Sequence, residues 1–101
     1  TPYMLDGGTR HHIPDNNTAE RWGLNWDTAV RFDTLLLTRF PEGNRVTPYA
    51  RNQTGHVYTM EKGKKRWIGP NCIQRMGISQ DIVNYTDAYI NRIPEGSHFC
   101  D

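Results

Sequence analysis

No stretch of the sequence approaches the ~20 consecutive apolar residues of a membrane-spanning helix, so no membrane span is expected. Net charge is nearly absent, with 12 Lys and Arg against 11 Asp and Glu, which argues against a nucleic-acid binder held by bulk electrostatics. Cysteine is scarce, at two residues. No catalytic signature stands on its own, so no enzyme is expected, and neither a cofactor nor a metal is implied. What remains is ordinary for a globular chain. With 101 residues, 36% hydrophobic and 11% aromatic, residues 1–101 suit a single domain with a modest core.

Export is the expected setting. The chain begins at Thr1 rather than Met, which suits a processed or excised form. Three Asn-x-Thr sequons, at Asn16, Asn52 and Asn84, are more than this composition supplies by chance. Cys72 and Cys100 make an even pair, as in a secreted domain with one bridge. That bridge would close a loop of about 29 residues and stabilise the fold by roughly 3 to 4 kcal/mol. Two free thiols, or a bridge between subunits, are the alternatives.

The dominant feature is an internal repeat. YMLDGGTRHHI, from Tyr3 to Ile13, lies over YTMEKGKKRWI, from Tyr58 to Ile68. Arg21, Gly23 and Leu24 then match Arg75, Gly77 and Ile78, and RFPEG at Arg39 to Gly43 matches RIPEG at Arg92 to Gly96. The matches keep their order while the spacing shortens by single residues, as a duplicated unit with loop deletions would. The repeats cover 1–43 and 56–96, joined by a polar linker over 44–55. One such unit buries little alone, so the two are expected to share one small core.

Each unit reads as a β-hairpin followed by short helices, which gives an α+β fold with tandem pseudosymmetry. Gly7 and Gly8 in the first unit, and Lys62 and Gly63 in the second, mark tight hairpin turns. A two-residue loop sets Tyr58 opposite Trp67 and Glu61 opposite Lys64, whereas a three-residue bulged loop shifts that register by one. Pro14 and Asp15 start a helix over Asn16 to Trp22 that Gly23 ends, and Pro70 and Asn71 start one over Cys72 to Met76 that Gly77 ends. Asp27 or Thr28 caps a further element over Ala29 to Leu36, helix or buried strand, and Ser79 caps a helix over Gln80 to Tyr85. Each Pro-Glu-Gly is expected to be a turn.

This pattern resembles short repeats of exported bacterial and other microbial surface proteins, which often read YLVxxGKKRxIP and accompany cell-wall or carbohydrate-active domains. The resemblance implies an extracellular recognition or scaffold module. His11 and His12 replace Arg66 and Trp67 of the other copy, so a site using that pair need not occur twice.

Candidate chemistry centres on the hairpins. Lys62, Lys64, Lys65 and Arg66 flank Trp67 and Tyr58, so aromatic faces would stack on sugar rings while cations hydrogen-bond hydroxyl or carboxylate groups. Tyr58, Trp67, Lys65, Arg66, Tyr3 and Trp26 are the expected ligand-binding residues, with Trp22 in the core. The alternative places Trp67 and Tyr58 in the core and leaves the charges as a solvated edge. His11 and His12 point to opposite strand faces and cannot grip one metal together; a site using one of them with His56 or His98 is the remaining metal option. His12, His56, Lys65 and Arg66 supply the residue types of a small secreted nuclease, without a motif that fixes their geometry.

The expected function is therefore an extracellular, non-catalytic module that binds a polysaccharide or cell-surface glycan. The alternative is a structural subunit of a secreted glycoprotein filament or surface layer, self-assembling through its repeats. A small hydrolase comes third.

Overall fold

The computed structural model describes residues 3–24 and 39–101. β1 (Tyr3–Asp6) and β2 (Thr9–His12) form one antiparallel hairpin. Both residues of its turn, Gly7 at φ 55° and Gly8 at φ 80°, are left-handed. A second hairpin turns the same way at Lys62 (φ 51°) and Gly63 (φ 79°). Two consecutive left-handed residues make the tight loop whose twist matches that of the flanking strands.

Asp15 precedes α1 (Asn16–Arg21) and its carboxylate accepts the Thr18 N–H at 2.8 Å. That bond, the Thr18 side chain and the Arg45 charge hold the exposed Asp15 carboxyl below its ordinary value. Gly23 at φ 73° ends the helix, and the Leu24 N–H returns to the Ala19 carbonyl at 2.8 Å. The element expected over Ala29 to Leu36, with its caps, and Trp26 lie outside the described residues.

The stretch 44–55, expected to be a polar linker, contributes β3 (Tyr49–Arg51). This strand lies inside a four-stranded sheet whose other members are β4 (Val57–Glu61), β5 (Lys64–Ile68) and β6 (Val83–Asn84), in the order β5-β4-β3-β6. A short inner strand is held by ladder hydrogen bonds on both sides and needs few apolar side chains of its own. Here Ala50 is fully buried in the main core, and Tyr49 packs half-buried against the cluster on the other sheet face. β4 and β5 form the second hairpin, with Tyr58 opposite Trp67 and Glu61 opposite Lys64, the register of the two-residue loop.

α2 (Pro70–Met76) begins on its proline and ends at the left-handed Gly77. The helix expected over Gln80 to Tyr85 is instead a 3₁₀ turn, Ser79–Asp81, followed by β6 parallel to β3. Ile82 and Val83 are β-branched, and Val83 pairs with Ala50 while the Tyr85 N–H bonds the Arg51 carbonyl at 2.9 Å. The helix begins later, as α3 (Asp87–Ile90), where the Thr86 hydroxyl accepts the Tyr89 N–H at 3.2 Å.

The Pro-Glu-Gly segments are also not turns. Glu42 bridges Arg10 and Glu95 bridges Lys65, each in parallel. The Arg10 N–H donates to the Pro41 carbonyl and the Gly43 N–H to the Arg10 carbonyl; Lys65, Pro94 and Gly96 make the same two bonds. Proline lacks a donor, but its carbonyl serves the strand edge, and its fixed φ suits extended backbone. Farther on, the Val46 N–H meets the His12 carbonyl and the Phe99 N–H the Trp67 carbonyl, both at 2.8 Å.

One core joins the two ends of the chain. Met4, Ala19 and Trp22 pack with Ala50, Met60 and Ile90. The opposite face of the β4–β5 hairpin carries Val57 and Ile68, which pack with Ile78 and the Cys72–Cys100 disulfide. The fold is α+β, with two sheets and short helices, as the sequence implies.

Candidate functional site

Period two and the hairpin register put Tyr58, Met60, Lys65 and Trp67 on one face of the β4–β5 hairpin. Met60 and Tyr58 are buried in the main core, while Trp67 at the end of that face is half-buried. There the sheet opens into a recess of about 260 Å³ lined by His56, Tyr58, Trp67, Glu95 and His98. The His98 ring stands 5.3 Å from the Trp67 ring at 54°. Glu95 comes from the extended Pro-Glu-Gly segment that Lys65 holds in place.

The recess pairs an apolar wall with polar groups of both hydrogen-bonding senses. Burial, then Glu95 and Asp87, push the Tyr58 hydroxyl above its ordinary value, so it remains a protonated donor at neutral pH. The Glu95 carboxylate is exposed and makes no ion pair among the described residues. His56 and His98 bring exposed imidazoles to the rim.

The expected cations are used elsewhere. Lys65 is only 8% exposed, its Nζ donates to the Ile90 carbonyl at 3.0 Å, and it lies 5.3 Å from the centre of the Tyr58 ring. Lys65 is thus a core residue rather than a ligand contact, because strand alternation sends it inward beside Trp67. Arg66 points to the other face and binds Glu61 at 2.9 Å and the Ser97 carbonyl at 3.0 Å, with its guanidinium over the Phe99 ring. Its donors secure the C-terminal segment. Tyr3 lies away from Trp67, in a second recess of about 290 Å³ with His12, Glu42, Gly43 and Arg45.

The nuclease constellation is not brought together, since His12 and His56 line different recesses and Lys65 is buried. His11 is also buried, with Nδ1 2.6 Å from the Asn44 carbonyl. Among the described residues no three His, Cys, Asp or Glu form a metal-holding group. Nor is any helix there long and apolar enough to cross a membrane.

Among the sequons, Asn16 and Asn84 are exposed. Asn52 is 9% exposed, and its Oδ1 accepts from the Thr54 hydroxyl at 2.9 Å and the His56 N–H at 2.8 Å. Such a side chain organises the turn before β4 and presents little of itself to a glycan.

Glu95, Glu42 and Arg45 are the site residues that the sequence reading missed. The repeated Pro-Glu-Gly was the signal for the two glutamates, concealed by the expectation of a turn, whereas Arg45, two residues beyond the first copy, carried none. Comparison with known families, curated proteins and solved structures finds no match.

Proposed function

We propose that the chain is an extracellular, non-catalytic module that binds a glycan in the recess beside Trp67. The observation that carries this reading is the cross-strand pair Tyr58 and Trp67, open at one end onto Glu95, His56 and His98. A sugar ring has an apolar C–H face and a rim of hydroxyls. The half-buried indole of Trp67 supplies most of the complementary apolar surface, and the edge of the buried Tyr58 ring that lines the recess adds to it. Glu95 accepts from hydroxyls, and the imidazoles donate or accept according to tautomer. With a carboxylate at its rim that makes no ion pair among the described residues, this recess suits a neutral saccharide.

Extracellular location is supported by the disulfide, since such bonds persist in oxidising compartments. Origin from a duplicated unit, as in the microbial surface repeats that the sequence resembles, is supported by the matched hydrogen bonds of Arg10 and Lys65 to their Pro-Glu-Gly segments.

Isothermal titration with neutral oligosaccharides, a cello-, a manno- and a chito-oligomer, tests the site. Saturable binding to at least one is expected, and Trp67→Ala should weaken it by about tenfold or more. Unchanged affinity in that variant would remove Trp67 from the site, and no binding across the panel would sink the reading.

A further inference from the structure

The recess around Tyr3 repeats the composition of the one around Trp67, with a different balance of charge. In each, two ring-bearing residues are cross-strand partners in a hairpin: Tyr3 and His12, whose centroids lie 5.7 Å apart, and Tyr58 and Trp67. In each, a Pro-Glu-Gly glutamate lies alongside, Glu42 or Glu95, and a basic residue follows three positions later, Arg45 or His98.

The glutamates differ in what neutralises them. The Arg10 guanidinium lies 3.4 Å from the Glu42 carboxylate and 5.4 Å from the centre of the Tyr3 ring. Arg45 then adds a second guanidinium, exposed, which makes no ion pair among the described residues. The one other carboxylate shown to feel Arg45 is Asp15, which the Thr18 N–H and hydroxyl already hold. Among the described residues Glu95 has no such ion pair. A negatively charged ligand is therefore repelled beside Trp67 and attracted beside Tyr3.

We propose that the recess formed by Tyr3, His12, Glu42 and Arg45 is a second saccharide site, selective for a sugar bearing a carboxylate, such as a uronic acid. Tyr3 and His12 support the ring, and Arg45 donates paired N–H bonds to the carboxylate, a geometry that guanidinium matches well. The inference rests on reading the hairpin faces as saccharide-binding. It adds a selectivity that the site beside Trp67 lacks.

The test is a titration of the full, isotope-labelled chain with trigalacturonic acid, followed by amide shifts in NMR. Parallel arms use its fully methyl-esterified form, inorganic phosphate, and the neutral oligomers above. The acid is expected to shift the amides of Tyr3, His12, Gly43 and Arg45. Arg45→Ala, a change at an exposed position, should weaken it by about tenfold, the value of one lost charge-assisted contact. Trp67→Ala should leave it unaltered, and added salt should weaken it.

Equal binding of the ester, unaltered affinity in Arg45→Ala, or acid shifts confined to the Trp67 recess would overturn the inference. Phosphate producing the same shifts at the same concentration would reduce the site to a simple anion site and overturn it too. Neutral binding at Trp67 without acid binding at Tyr3 defeats this inference alone, whereas the converse defeats only the neutral site.

Discussion

Lys65 illustrates how little a residue's type says about its role. In sequence it belongs to a run of cations beside two aromatic residues, the composition of a polar ligand surface. In the fold its ammonium is buried against the Ile90 carbonyl and the Tyr58 ring. The long apolar stem makes this tolerable, because it lies along core surface while one well-placed acceptor meets the charge. Lys65→Met keeps the stem and removes the donor, leaving a buried carbonyl without that partner. A loss of about 1–3 kcal/mol is expected in denaturant unfolding, with the same slope against denaturant concentration. No measurable loss would mean that the ammonium makes no net contribution. Lys64, one position away and exposed, follows the opposite strand face, so a one-residue difference in alternation separates a core contact from a solvated charge.

At the scale of elements, the two hairpins were legible because their turns are short and chemically specific. Gly-Gly and Lys-Gly each permit two left-handed residues in succession, and the cross-strand partners then follow. α1 and α2 were legible from a cap, a starting proline and terminal glycines. Elements that depend on a distant partner were not. β3 exists because β4 and β6 flank it, and β6 displaced an expected helix for the same reason. Docking of elements is equally hidden in the sequence. The tip of the β4–β5 hairpin lies against the end of α1, where the Gly63 N–H bonds the Arg21 carbonyl at 3.0 Å. A Cβ on Gly23 would stand 2.7 Å from the Gly63 Cα, whereas one on Gly77 meets open space. Both glycines are left-handed, so alanine at either should cost about 1–2 kcal/mol from conformation alone. Gly23→Ala adds a backbone collision and is expected to lose clearly more stability than Gly77→Ala in parallel melts. Equal losses would show that the hairpin tip yields without cost.

For the whole molecule, contacts between remote parts of the chain do most of the organising. The Asp6 carboxylate accepts the Thr86 N–H at 2.7 Å and the Thr86 hydroxyl, joining the first hairpin to the start of α3. The disulfide joins α2 to the chain's last residues, with Cα atoms 5.9 Å apart across a sequence separation of 28. Beside it, the Gly69 N–H donates to the Cys100 carbonyl at 2.7 Å. Reduction should release this end of the chain and lower stability by about 3 kcal/mol through loop entropy in the unfolded state. Calorimetry with and without reductant measures it. A transition temperature indifferent to reductant would assign that stability to the smaller cluster of Val57, Ile68 and Ile78 instead.

The sequence by itself determined the features that rest on local chemistry. These are the left-handed hairpin turns, the caps and glycine stops of α1 and α2, the inward place of Trp22 and the α+β class. It also contained the repeated Pro-Glu-Gly, although not its conformation. Tertiary structure alone decided which hairpin residues face a recess and which face the core, because that depends on what covers each sheet face. It likewise brought Glu42 and Arg45 to the Tyr3 hairpin, and Glu95 and His98 to Trp67. Backbone pairing between segments about 30 residues apart does this, and no local pattern encodes it.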